Sequence, residues 1–419
     1  MKNWISSKAS RILFKNVVSL TLGNALSKVF TFSLSILMAS KLGAEQFGQF
    51  SAATAWSAIV FQTVALGLDI LIKRNVPRDL GKASKYFSNA LGLRFVLSIV
   101  ALLIMLVVGF RIGNSYQAIY VFLLVAIFFA IDSFSNLIMA IFEAFEKMEY
   151  EALLITIRSI LIFIFGAWLL ITGADVVKVA IIYVGVSLIG LIAGMRILFS
   201  RVVKFSIEFD TKFWKSMVST SYIWAFMTLL LMLNLRIDTV ILSIIANIDE
   251  VGLYNSAHNL TSGLAFIPSA ITMAFFPSLS RNYFQRKSSL GKQIRRLIIL
   301  NTLIGLILSV PIYIYSRQIM GVLYTDIYLV ASRSLQILAC GLFMTFVSSA
   351  CGVIINAIGQ EKKLLVIIGM GFITNLILNV LLIPRLGYNG SAISKLITQV
   401  IVASSSLWLV FKTGYIGKW

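Results

Sequence analysis

Apolar runs of about 20 to 30 residues follow one another from end to end of the chain, separated by connections too short to form a core of their own. A helix needs about 20 mostly apolar residues to cross a hydrocarbon layer about 30 Å thick, and it satisfies every backbone polar group within itself, as the absence of water there requires. Bounded by charges or by Gly, Pro and Asn clusters, the runs predict spans at 14–39, 47–72, 86–109, 117–142, 152–172, 177–199, 217–245, 251–278, 297–315, 329–357, 364–383 and 390–411. Twelve spans consume nearly all of the 419 residues and leave no room for an appended soluble catalytic domain. The expected fold class is therefore all-α integral membrane. The first run opens with Lys2, Lys8, Arg11 and Lys15 as a signal sequence does, but it carries Lys28 and lacks a convincing cleavage site, so it reads as a retained helix.

Composition agrees: 59% of residues are hydrophobic and 12% charged, where a soluble domain is about half apolar and about a quarter charged. The net charge of +20 would point to nucleic acid in a soluble protein, but its distribution here is topological. The N-terminus and the alternate connections that share its side hold 25 Lys and Arg, against five (Lys41, Arg111, Lys178, Arg317, Arg385) on the other side. The positive-inside rule then places both termini in the cytoplasm, and no nucleic-acid partner is expected. Cys340 and Cys351 are eleven residues apart in one apolar run, about 16 Å along a helix, too far for a disulfide with each other. With one histidine and no paired cysteines, neither a metal nor another cofactor is expected.

The basic connection Arg196–Lys215 contains the amphipathic stretch Phe205–Trp214, which suits the cytoplasmic membrane surface. It divides the chain into a six-helix lobe at 1–199, a linker at 200–216 and a second six-helix lobe at 217–419. The halves share a motif: Glu45-Gln-Phe-Gly-Gln-Phe-Ser-Ala-Ala53 matches Asp249-Glu-Val-Gly-Leu-Tyr-Asn-Ser-Ala257, with acid, Gly, aromatic and Ala in register at an offset of 204. Because six is even, both halves enter the membrane from the same side, which makes the repeat parallel.

Leu42-Gly-Ala-Glu-Gln-Phe-Gly-Gln-Phe-Ser-Ala52, Phe276-Pro-Ser-Leu-Ser-Arg281, Asn356-Ala-Ile-Gly-Gln-Glu-Lys-Lys363 and above all Asn379-Val-Leu-Leu-Ile-Pro-Arg-Leu-Gly-Tyr-Asn-Gly-Ser-Ala392 resemble the polysaccharide-export, Wzx-type oligosaccharide flippase family. That family lies in the wider superfamily of multidrug/toxin exporters and peptidoglycan-precursor flippases. The resemblance implies two lobes around a central cavity in a prokaryotic cytoplasmic membrane. Its implied task is to move a polyprenyl-pyrophosphate-linked oligosaccharide, the repeat unit of a surface polysaccharide, to the outer leaflet, with glycosyltransferases and a polysaccharide polymerase as partners. In the last motif Pro384 is expected to end span 11, Gly387 and Gly390 to permit a tight turn, and Ser391 and Ala392 to let backbones approach.

Six cations lie within or at the margins of the spans, Lys28, Arg94, Arg158, Arg236, Arg333 and Lys395, with three acids, Asp69, Asp132 and Asp238. An ionisable group facing hydrocarbon costs at least about 2.5 kcal/mol, so such groups face a protein interior or water. A cation surplus suits an anionic pyrophosphate, to which Arg and Lys give charge-assisted hydrogen bonds. Lys28 and Arg236, deep in equivalent helices of the two halves, and Arg158 are the candidate cargo contacts. Asp238 and Asp132 are the candidate H⁺ or Na⁺ coupling sites. Asp69 is expected to pair locally with Lys73 one turn on, Arg94 to snorkel toward the cytoplasm, and Arg333 and Lys395 to lie near the outer ends of their helices. His258 reads as a packed helix residue, Pro268 and Pro277 as kinks in span 8, and Gly190-x-x-x-Gly194 as a close-packing device. No GxxxxGK phosphate loop occurs, so ATP is not the direct driver. The alternatives are a multidrug exporter of the same fold, for which cationic drugs would favour an acidic cavity, and a membrane polymerase or glycosyltransferase, which would need a carboxylate pair or metal beside a sizeable outer loop.

Overall fold

The computed structural model describes residues 8–113, 115–202, 208–285 and 289–414. Part of the expected amphipathic linker (203–207) and the terminal cations Lys2 and Lys418 lie outside the described residues. The helices are α1 (Lys8–Ala65), α2 (Leu68–Asn75), α3 (Ala83–Ile112), α4 (Tyr116–Ala144), α5 (Met148–Ile171), α6 (Val176–Arg201), α7 (Thr211–Ile245), α8 (Ile248–Leu264), α9 (Phe266–Phe284), α10 (Leu290–Ile314), α11 (Ser316–Leu323), α12 (Ser332–Ala357), α13 (Glu361–Leu386) and α14 (Tyr388–Lys412). Among the described residues, eleven helical stretches are long and apolar enough to cross a membrane, and the first, Ser19–Ala65, has 47 residues. At 1.5 Å per residue that is about 70 Å, enough for two crossings. Its helix breaks at Gly43, whose φ of 76° and ψ of 175° are non-helical. Two spans therefore join there, and the chain crosses twelve times, as the apolar runs predict.

By contacts the chain forms two compact units. One comprises Met1–Leu42 and Ala52–Met232, the other Gly43–Ser51 and Leu233–Trp419. In the first, Leu68 and Ile72 of α2, Phe87 of α3, Ile141 and Phe142 of α4 and Leu198 of α6 make one buried cluster. In the second, Leu279 of α9, Ile294 of α10, Ile354 of α12 and Val410 of α14 make another. Opposite faces of the same helices expose Leu103, Val107 and Phe110 on α3 and Ile307, Val310 and Ile314 on α10. Helices apolar on both faces belong in lipid.

The repeated motif has a packing role. A Cβ at Gly48 would overlap the carbonyl oxygen of Ile248, and one at Gly252 would overlap that of Ala44. The two equivalent glycines thus mark one close backbone crossing within the second unit. Gly190 and Gly194 behave differently: added carbons there would meet only side chains, the Cδ of Arg158 at 3.9 Å and Leu154 Cδ1 at 3.5 Å. The GxxxG spacing in α6 is filled by neighbouring side chains rather than by a backbone.

Pro384 does not end its helix, since α13 continues to Leu386. The chain turns at Gly387, with φ 55° and ψ −140°, and the Gly387 carbonyl accepts from Gly390 N–H at 2.9 Å. The Tyr388 N–H donates to Glu250 Oε2 at 2.8 Å, tying this turn to the start of α8. A carbon at Gly390 would sit 2.6 Å from the Leu382 carbonyl oxygen, so the close approach expected of this motif is present. Span 8 breaks at Ala265, three residues before Pro268, while Pro277 lies inside α9. The connection after α10 carries α11 and a 3₁₀ turn at Asp326–Ala331. There the Tyr324 hydroxyl donates to the carbonyl of Ser256 at 3.0 Å.

Candidate polar sites within the two units

In the first unit two ion pairs form among the intramembrane charges. Arg94 is fully buried, and its Nη2 donates to Asp69 Oδ1 at 2.6 Å while Nη1 donates to the Ser133 carbonyl. Arg94 therefore points into the helices rather than snorkelling. Nor does Asp69 pair with Lys73, which bridges to Glu143 of α4 instead. The i,i+4 rule describes an isolated helix surface; here α2 ends beside α3 and α4, which present a better acceptor and a better donor.

Arg158 of α5 pairs with Asp132 Oδ1 of α4, and Asn136 Nδ2 donates to Asp132 Oδ2 at 3.1 Å. A candidate cargo cation and a candidate coupling acid are thus one ion pair. Beside it, the hydroxyls of Ser27 in α1 and Ser159 in α5 hydrogen-bond at 2.6 Å. Their sequence neighbours Lys28 and Arg158 consequently lie at one depth on adjacent helices. Lys28 is exposed in its unit and Arg158 half-buried.

The second unit holds a denser cluster around Asp238 of α7, whose side chain is 2% exposed. Lys395 of α14 donates to Asp238 Oδ2 at 2.7 Å and to the Asn234 carbonyl at 2.8 Å. Asn375 and Asn379, one turn apart on α13, donate to Asp238 Oδ1 at 2.8 and 3.0 Å. Ser391 Oγ donates to Asn379 Oδ1 at 2.9 Å, so the small residue that follows the turn also orients an amide. Lys395, two turns into α14, is buried in this cluster and paired with Asp238. Its ammonium supplies the charge that lets a carboxylate stay buried at all, since an unpaired one carries a desolvation penalty of several kcal/mol.

Tyr254 and His258 of α8 stack with ring centroids 5.4 Å apart and planes within 8°. The Tyr254 hydroxyl and His258 Nδ1 are buried without a well-formed hydrogen bond. Both rings lie within the electrostatic reach of Asp238, and that of Lys395 and Arg236 extends to His258. Arg236 itself is half-buried in α7, two residues from Asp238 and on a different face of the helix. Among the described residues it has no hydrogen-bond or ion-pair partner. The hydrogen-bonding roles of Asn375, Asn379 and Ser391 were not legible in the sequence, because neutral amides and hydroxyls in an apolar run carry no charge signal. The Asn-x-x-x-Asn spacing, two amides on one helix face, was the available clue.

Comparison with known proteins adds an independent line. Residues 13–283 match the family described as polysaccharide biosynthesis protein, and residues 224–381 match the MatE family. Among curated relatives, an uncharacterized membrane protein of Methanocaldococcus jannaschii, MJ1068, is 24% identical over 92% of this chain and 82% of its own length. The probable flippase AglR of Haloferax volcanii is 24% identical over 88% of this chain and 77% of its own. Among solved structures, the lipid II flippase MurJ in an inward closed conformation superposes with a TM-score of 0.76 at 15% identity, covering 94% of this chain and 87% of that one. An inward-facing multidrug resistance MATE family transporter of the MOP superfamily gives 0.71 at 16% identity, over 96% and 98%. The structural likenesses establish the fold. With the first family match spanning well over half of its length, this twelve-span chain belongs to the polysaccharide biosynthesis protein family.

Proposed function

We propose that the protein is a flippase that moves a polyprenyl-pyrophosphate-linked oligosaccharide from the cytoplasmic to the outer leaflet of a prokaryotic cytoplasmic membrane by alternating access. The relative named a probable flippase and the family match support transport of a lipid-linked glycan rather than sugar-transfer chemistry. In this reading glycosyltransferases build the cargo before it arrives and a polymerase consumes it afterwards.

The observation that carries the proposal is the disposition of intramembrane charge. Asp69, Asp132 and Asp238 are engaged by Arg94, Arg158 and Lys395. Arg236, half-buried in the middle of α7, has no partner among the described residues. A guanidinium at that depth is costly unless something anionic meets it, and a pyrophosphate offers the acceptor geometry its fork recognises. Arg236 is assigned to the cargo head group, with Lys28 and Arg158, at one depth on α1 and α5, as the second contact. Asp238 and Asp132 are assigned to coupling: protonating either acid would release the cation it holds.

The test is transbilayer movement of a labelled polyprenyl-pyrophosphate oligosaccharide in proteoliposomes. Movement above protein-free vesicles that falls at least tenfold in Arg236→Ala supports the assignment. A protein that leaves this lipid in place but exports a cationic dye is instead the multidrug exporter, a reading favoured by the match of residues 224–381 to the MatE family.

A further inference from the structure

α13 and α14 run antiparallel, so the beginning of one and the end of the other share a membrane face. Between them at that end lies a groove of about 670 Å³. Its walls are almost wholly apolar, formed by Val366 and Met370 of α13 and Trp408 and Leu409 of α14, with the small Ser404 and Ser405 leaving the space open. Its rim is cationic. Lys362 and Lys363, both exposed, line it, and the Lys412 ammonium stands 4.9 Å from the centroid of the Trp408 ring. Glu361 is the one carboxylate in that first turn, leaving the rim with a net positive charge.

An apolar trough that opens along the flank of membrane-spanning helices and ends in ammonium groups matches one kind of molecule, an amphiphile with a hydrocarbon chain and an anionic head. A free sugar or nucleotide would find almost no hydrogen-bond partners on these walls. The glycan of a lipid-linked oligosaccharide would fare no better, and a cargo must leave its site on every cycle. Basic pockets between transmembrane helices on the cytoplasmic side hold anionic lipid head groups, and the positive-inside arrangement puts this end on that side.

We propose that the α13/α14 groove is a binding site for an anionic phospholipid of the surrounding bilayer, its phosphate held between Lys362 and Lys363 and one chain lying along Val366, Met370 and Trp408. The site is separate from the residues assigned to cargo, and the proposal does not depend on what the protein transports.

Native mass spectrometry of the purified full-length protein in neutral detergent, titrated with phosphatidylglycerol or with phosphatidylcholine of the same chains, tests it. The wild type is expected to retain phosphatidylglycerol preferentially. Lys362→Gln with Lys363→Gln should weaken that binding about 30-fold, at about a fivefold loss for each lysine near the membrane surface, and leave phosphatidylcholine unaffected. Ser405→Phe, which fills the groove and keeps the lysines, should also abolish retention; if that variant does not fold, the lysine pair alone decides. Equal retention of the two lipids by the wild type, or unchanged phosphatidylglycerol binding in the lysine variant, overturns the proposal. So does displacement of bound phosphatidylglycerol by equimolar polyprenyl phosphate, which would make the groove a seat for the cargo's carrier.

Discussion

Asp238 is buried with every one of its contacts supplied by the chain: Lys395 on one oxygen, Asn375 and Asn379 on the other. Removing one partner of such a pair leaves an uncompensated charge, at a cost of about 3 to 5 kcal/mol. Lys395→Ala is therefore expected to lower the thermal unfolding midpoint of the detergent-purified protein sharply. Lys395→Met combined with Asp238→Asn should recover most of the loss, because the remaining amide oxygen still accepts from Asn375 and Asn379. Arg236 calls for the opposite behaviour. With no partner for Arg236 among the described residues, Arg236→Ala should leave expression and unfolding near the wild type while translocation falls at least tenfold. Arg236→Lys should restore part of the rate, since lysine keeps the charge but loses the bidentate fork. The positions of all nine intramembrane charges were readable from the sequence, because a charge in an apolar run stands out. Their partners were not. Asp69 meets Arg94, 25 residues away, and Asp238 meets Lys395, 157 away. Local spacing on one helix, the only geometry a sequence supplies without further information, favoured Lys73 for Asp69 and offered Lys395 no partner.

Among the helices, glycine spacing and glycine function part company. Gly48 and Gly252 face carbonyl oxygens of the opposing segment, so a methyl group at either forces the backbones apart. Gly48→Ala and Gly252→Ala are each expected to destabilise the fold by about 1 to 3 kcal/mol, the usual cost of overpacking, read as a lower unfolding midpoint. Gly190→Ala and Gly194→Ala, whose new carbons would find only ordinary van der Waals contact, should be neutral or slightly stabilising, since alanine is the better helix former by about 1 kcal/mol. The ordering is the reverse of what the GxxxG pattern predicts. The repeat between the halves did signal importance at Gly48 and Gly252, though not that the two copies would touch. The break in α1 shows the same division. Its two spans and the connection at 40–46 were legible from the charges and glycine that bound the apolar runs, while their junction as one nearly continuous helix, non-helical at Gly43, was not. Pro384 was read as a stop because proline removes a donor, but two residues from the end of a helix that loss is small, and the turn is set by Gly387.

For the whole molecule, the charge asymmetry between alternate connections makes a prediction about sidedness. In a cysteine-free background, a cysteine at Ser289 before α10 should react with an impermeant reagent only from the cytoplasmic side, and one at Asp175 before α6 only from the outer side; reversed labelling would invert the topology and move the α13/α14 lysines to the outer leaflet. The same charges bear on what drives the cycle. A Na⁺ ion needs several oxygen ligands and a carboxylate free to face it, whereas Asp238 and Asp132 each hold a cation tethered to the chain. Sodium would have to displace an ammonium or a guanidinium bound through a charge-assisted hydrogen bond. A proton needs no such vacancy: it adds to the acid, removes the attraction and frees Lys395 or Arg158. Replacing Na⁺ by choline on both sides of a proteoliposome is thus expected to leave the translocation rate unchanged, while an imposed pH gradient alters it. Asp238→Asn combined with Lys395→Met, which keeps the amide contacts, leaves no unpaired buried ammonium and cannot exchange a proton, should abolish the response to the gradient. Loss of movement in choline, restored by added Na⁺, would mean that the Asp238–Lys395 pair opens during the cycle and that its carboxylate then serves as a sodium ligand.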